Sequence, residues 1–426
     1  PTEHEDAVLR LLDFYLVGLA EAVGAAYPFD RALLPPVHRS CSLSLGFTSQ
    51  GAALEWIITE RDNLVKAIHY AVAHNQPEHA WRLAVLMWRH FGSTGQFADW
   101  IETMELARRI VTADPANRYG RAHVLLRLAT AYERLGQLAQ ALELATQALL
   151  LWQQLGNMLG EAATLGAIAI SLVQLGRHDE AIEHFATALE KYERCGDLRG
   201  EAHALSMLGV LHEERGDLDV ALRQHLTAVP ILREVNHRQG LAHALNNLGV
   251  VQQRLGMADE SLAAHSEAYD LAVELGDDSL AAYALNYIGN VHRSLGRLTE
   301  AARYQERART VAVDVPDTDL RTRLYLDRAA TAQAGGDLGG AHRNYEAALA
   351  LATGTGNRVH GAHADHGVAQ TMHALGRHTD AVQHWEAAEE GFTSLGLPEA
   401  RTVHEERRIF TCSCQKRLRP QSLSPL

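Results

Sequence analysis

Between residues 120 and 400 the apolar positions recur with the three-to-four-residue spacing of one helix face, and helix-terminating residues interrupt them on a fixed beat. Gly136, Gly176, Gly216, Gly256, Gly296, Gly336 and Gly376 stand 40 residues apart. Twenty residues after each comes a second breaker: Gly156, Gly196, Asn236, Gly276, Pro316, Gly356 and Gly396. Two breakers per period predict two helices of about 15 residues each.

Small residues keep the same beat. Five positions after each glycine stand Ala141, Ala181, Ala221, Ser261, Ala301, Ala341 and Ala381. Twelve positions after stand Ala148, Ala188, Ala228, Ala268, Ala308, Ala348 and Ala388. Residues seven apart share a helix face, because seven residues are close to two turns. A small residue there lets a neighbouring helix approach closely. The predicted unit is a helix–turn–helix hairpin whose apolar faces are covered by the next hairpin.

The unit resembles the tetratricopeptide (TPR) consensus. Residues 202–228 carry it through Leu208-Gly209 in the first helix, Gly216 at the turn and Ala221 and Ala228 in the second. Leu248-Gly249 and Ile288-Gly289 repeat it, whereas Arg328-Ala329 and Val368-Ala369 replace the Leu-Gly pair in the last two units. The resemblance implies an all-α fold, a right-handed superhelical TPR solenoid with 40-residue helix-turn-helix repeats. Its 40-residue period resembles the long-repeat variety of bacterial regulatory proteins.

Residues 1–118 are helical in pattern but out of phase, with Gly95 standing 41 residues before Gly136. Pro28, Pro35 and Pro36 mark a loop. Ala53-Leu54-Glu55-Trp56 followed by Glu60-Arg61-Asp62-Asn63-Leu64, with Trp81, Phe91, Gly95 and Asp99-Trp100 downstream, resembles the junction that joins an NB-ARC-type nucleotide-binding module to TPR repeats in AfsR-type actinobacterial transcriptional regulators of the STAND class. Trp56, Trp81 and Trp100 are expected in the core. The expected organisation is an N-terminal junction over 1–118 with one degenerate repeat at 80–118, seven repeats over 119–402, and a helix end with a flexible tail over 403–426. No GxxxxGK[ST] phosphate loop or DNA-binding module is present, and the chain starts without Met, so it reads as the sensor arm of such a regulator. ATPase and DNA-binding modules would then belong to the parent protein.

The resemblance also implies a binding face, because TPR first helices line a concave groove. With Leu208-Gly209 as repeat positions seven and eight, positions 2, 5, 9, 12 and 13 face it. His203 of the third repeat, His243, Asn246 and Arg254 of the fourth, Tyr283, Asn286, Asn290 and Arg293 of the fifth and Arg323 of the sixth fall there, with Asn247 one place later. Long-repeat TPR proteins that hold peptides use Asn at these positions, and asparagine amides can both donate to and accept from an extended backbone. Arginines at the same stripe suit acidic groups. The second repeat, with Ala163, Ile170 and Val173, presents an apolar stripe suited either to an apolar anchor or to the N-terminal segment.

Net charge is −13, and the one basic run is at the C-terminus, so a phosphate-binding surface for nucleic acid is not expected. No apolar run is long enough to cross a membrane. Four cysteines, including the lone Cys412/Cys414 pair, form no disulfide framework, as in a cytoplasmic protein. Histidines are abundant, but His203 and His243 lie on successive first helices about 10 Å apart, too far to share an ion. No HExxH, GxSxG or GxGxxG occurs. We therefore expect a non-enzymatic chain without cofactor, catalytic residue or metal. Its expected partner is a peptide or protein segment, or a small-molecule effector; the alternative is a free-standing adaptor joining two proteins.

Overall fold

The computed structural model describes residues 3–27, 34–37 and 44–417. Pro28 lies outside the described residues, as do the side chains of Cys412 and Cys414 and of the basic tail. Among the described residues there are nineteen helices and no strand, packed in consecutive pairs.

The chain divides into two compact units, residues 1–237 and 238–426. The first holds α1 (Glu3–Ala26), α2 (Gln50–Ala73), α3 (Pro77–Thr94), α4 (Phe97–Ala113), α5 (Arg118–Arg134), α6 (Leu138–Leu155), α7 (Met158–Gln174), α8 (His178–Cys195), α9 (Leu198–Arg215) and α10 (Leu218–Glu234). The second holds α11 (Arg238–Arg254), α12 (Ala258–Leu275), α13 (Asp278–Ser294), α14 (Leu298–Val311), α15 (Thr318–Ala334), α16 (Leu338–Thr355), α17 (Arg358–Ala374), α18 (His378–Ser394) and α19 (Glu399–Arg417). The boundary between the two units falls between α10 and α11.

The beat of breakers has its expected geometric cause. Gly136 ends α5 at φ 72°, a left-handed conformation that costs residues with a Cβ. There the Gln137 N–H donates to the Tyr132 carbonyl at 2.9 Å, closing the helix end. Asn236 takes the same conformation at φ 51°. Pro316 cannot, and α14 stops early, at Val311, so the chain reaches α15 through a longer turn.

The periodic small residues lie where hairpins touch. Ala181, Ala221, Ala301, Ala341 and Ala381 are all 0% exposed. Ser261 keeps the pattern because its hydroxyl donates to the Gly249 carbonyl at 2.7 Å, so the polar group is satisfied inside the hairpin. Trp81 and Trp100 are buried, and Trp56 is half-buried with its ring 5.9 Å from Phe47. Arg61 ties α2 to α4 by pairing with Asp99 and donating to Gln96 at 2.7 Å.

Candidate functional site

In the second unit the first helices of successive hairpins, α11, α13, α15 and α17, touch one another in order. Their facing positions carry the sequence-predicted residues, and side chains from neighbouring elements decide what becomes of each.

The asparagines are not open. Asn246 is 4% exposed, Asn286 0% and Asn290 9%. Asn246 Oδ1 accepts from His265 Nδ1 at 3.0 Å, inside its own hairpin. Asn290 Oδ1 accepts from Gln305 Nε2 at 3.3 Å. Asn286 Nδ2 donates to Asp327 Oδ2 on α15 at 2.6 Å. Each of the three amides makes a hydrogen bond within the fold, as burial requires of polar groups. Asn286 Oδ1 and Asn246 Nδ2 remain buried with no hydrogen-bond partner among the described residues. Asn247 is half-buried, while His243 and Arg254 are exposed. His243 titrates lower than an ordinary histidine, because desolvation outweighs the opposing pull of Asp277.

Asp327 is the centre that sequence reading missed. It accepts from Asn286, and Arg293 lies 3.9 Å from its other oxygen. Arg323 is one turn away on α15, half-buried among Tyr287, Asp327, Tyr283 and Asp319. Burial works against its charge, yet those groups outweigh burial and raise its pKa. The Nε atoms of Arg293 and Arg323 are buried without a partner. Tyr283 completes the cluster: its hydroxyl donates to Asp317 at 3.4 Å, and its pKa is raised by burial, then by Asp317 and Asp319. Tyr283 and Tyr287 stack with centroids 6.3 Å apart. Asp327 carries no repeat signal, since its equivalents are Arg127, Ala167, Met207, Asn247, Tyr287 and Gly367. A carboxylate four residues after Arg323 was the one cue.

Polar contacts continue along the same face. Gln333 on α15 donates to Gln370 on α17 at 3.2 Å, and Gln370 and His366 both donate to Glu406 on α19, His366 at 2.7 Å. Replacing Asp327 by alanine strands Asn286 and Arg293. Asp327→Ala is expected to lower stability by about 2 kcal/mol in urea denaturation, the cost of a buried group left unmatched. A change below about 0.5 kcal/mol, the scale of a surface substitution, would show that the cluster contributes nothing.

His203 lies in the first unit, on α9. It keeps solvent contact, and Phe185 lies 6.5 Å away edge-on. Desolvation by the atoms around it, then Arg199 and Arg89, lower its pKa. The apolar stripe of α7 stays half-buried at Ala163, Ile170 and Val173. Among the described residues no group of three or more His, Cys, Asp or Glu side chains is placed to hold a metal ion, and no helix is long and apolar enough to cross a membrane.

The tetratricopeptide repeat family pattern matches residues 120–190, 160–234 and 240–314. No curated protein matches the chain. Among solved structures, the fold is similar to the apo form of the quorum sensor NprR from B. thuringiensis, with TM-score 0.60 and 15% identity over 78% of this chain and 99% of that one. A Rap protein complexed with Competence and Sporulation Factor gives TM-score 0.55 and 13% identity over 80% and 99%. A Signal Transduction ATPase with Numerous Domains (STAND) protein with a tetratricopeptide repeat sensor, from Pyrococcus horikoshii, gives TM-score 0.56 and 14% identity over 96% and 67%. At these identities the likeness is one of fold.

Proposed function

We propose that this chain of tetratricopeptide repeats is the sensor arm of a signalling transcriptional regulator, and that it binds a peptide or protein segment against the first helices of its hairpins, α11, α13, α15 and α17. The observation that carries the reading is the cluster around Asp327. Two arginine Nε atoms and one asparagine carbonyl oxygen are buried there without partners, beside two stacked tyrosines. Buried polar groups without partners are uncommon in native folds and call for an explanation. A peptide supplies carbonyls or carboxylates for the half-buried guanidinium groups of Arg293 and Arg323 and side chains that pack on the Tyr283 ring. The fold likeness to a quorum sensor, to a Rap protein carrying a factor and to a STAND sensor supports a binding role in signalling.

Tyr283, Asn247, Arg293 and Arg323, with His243 and Arg254 at the edge, are the residues that reach a ligand directly. Asn246, Asn286 and Asn290 act from within the wall. His203 belongs to the first unit and stands as a separate candidate. The test is capture with the whole chain, followed by mass spectrometry of bound peptides and proteins, then titration of the captured partner. Arg323→Ala and Tyr283→Ala are each expected to weaken it about tenfold, one charge-assisted or aromatic contact each. Unchanged affinity in both variants would remove the inner face from the site.

A further inference from the structure

We propose a second site, between α12, α13 and α14, that takes a small anion with an apolar ring, such as an aromatic carboxylate. It goes beyond the inner-face reading and does not depend on it. A cavity of about 410 Å³ lies over Leu285, with Tyr269 of α12 on one side and α14 on the other. That volume is within the range of small-molecule sites.

Its chemistry is uneven in a useful way. Leu285 is 1% exposed and forms the floor with Val311, and the Tyr269 ring forms a wall. Arg303, Arg307 and Val311 share one face of α14, four residues apart, so both guanidinium groups overhang the apolar floor. Arg307 donates to the Tyr269 hydroxyl at 3.4 Å and lies over the Tyr269 and Tyr304 rings at 5.6 and 5.3 Å. Arg303 lies over Tyr304 at 5.6 Å. Stacking on rings holds both guanidinium groups in place and leaves their charge unneutralised.

The one carboxylate at the cavity does not cancel them. Glu306 is engaged by Arg309 at 2.6 Å and by Arg328 at 3.2 Å, and Arg309 first, then Arg328, hold its carboxyl below the usual range. Among the described residues neither Arg303 nor Arg307 makes an ion pair, in a chain whose net charge is −13. The combination is particular to this repeat. The equivalents of Arg303 and Arg307 are Glu143 and Gln147, Glu183 and Thr187, Arg223 and Thr227, Ala263 and Glu267, Arg343 and Ala347, and Gln383 and Ala387. None pairs two cations. Tyr269 likewise stands where other repeats carry Leu149, Leu189, Val229, Arg309, Leu349 and Glu389, none of them aromatic. α14 ends early, at Val311, so this lining residue closes the helix. Two cations above a desolvated apolar floor select a ligand with a carboxylate at one end and a ring at the other.

Calorimetric titration of the whole chain with naphthalene-2-carboxylate tests this. Saturable binding is expected, about tenfold weaker for naphthalen-2-ylmethanol, which keeps the ring and lacks the charge. Arg303→Ala, which leaves the Arg307 stack in place, and the Arg303→Ala/Arg307→Ala pair are each expected to weaken the carboxylate by about tenfold or more, with circular dichroism unchanged. Arg323→Ala, on the inner face, should leave the affinity unchanged. Absence of saturation, equal affinity in the double variant, or full displacement by inorganic phosphate would overturn the site.

Discussion

Lowering the pH from 7 to 4.5 is expected to remove roughly 2–3 kcal/mol of stability for each of three histidines, because burial keeps them neutral in the fold. His225 and His265 are 0% exposed and His123 is 4% exposed. Burial lowers the pKa of His225 to about 4. Burial lowers His265 to about 3, and burial, then Arg127 and Arg82, lower His123 to about 3. The unfolded chain takes up a proton on each near pH 6.5, and the fold refuses it until far lower pH. The unfolded state therefore binds more protons throughout that window. Stability is complete above pH 6.5 and falls as pH falls toward 4.

His225→Gln separates this effect from general acid unfolding. Glutamine is native at the equivalent position 305, beneath Gly289, and does not titrate. Urea denaturation at pH 7 and 4.5 is expected to show the pH-dependent loss shrinking by roughly 2–3 kcal/mol in the variant, the linkage contribution of one group. An unchanged difference between the two pH values would mean that His225 is not neutral in the fold.

The second large effect is steric, and two glycines of one helix should give opposite signs. A Cβ at Gly160 would lie 2.4 Å from the Trp152 ring, whereas at Gly166 it would meet nothing within 4 Å. Trp152 is 1% exposed and packs edge-on against His123 and Tyr119 of α5, with centroids 4.9 and 5.5 Å away, so retreat from α7 would drive it into those rings. Gly160→Ala is expected to cost about 3 kcal/mol, since overpacking exceeds the helix-propensity gain. Gly166→Ala should raise stability by about 0.5–1 kcal/mol, because alanine restricts the unfolded chain and clashes with nothing. Denaturation midpoints that move in the same direction for both would show that the close approach of α7 to Trp152 is absent.

These results separate two kinds of information. The hairpins were legible because their causes are local. A left-handed helix end needs glycine or asparagine, a close helix crossing needs a small side chain, and both recur at fixed intervals, as at Gly136 and Ala181. Even the exception was visible, since Pro316 cannot take the left-handed turn and α14 shortens accordingly. The stripe bearing Asn246, Asn286 and Asn290 was legible for the same reason, because helical periodicity places those positions on one face.

What periodicity could not say is how deep each residue sits and what it meets. Asn286 finds Asp327 from the next hairpin, 41 residues on, and Asn246 finds His265 across its own hairpin. These pairings depend on the reach of side chains at non-repeating positions, which share no pattern along the chain. The helical hairpins and their consecutive pairing could be read from the amino-acid sequence, because they follow from backbone geometry within a few residues. Only the tertiary structure decided which polar groups on those faces are consumed by neighbours and which stay unmatched, because hydrogen bonding and desolvation depend on atoms brought together from distant parts of the chain.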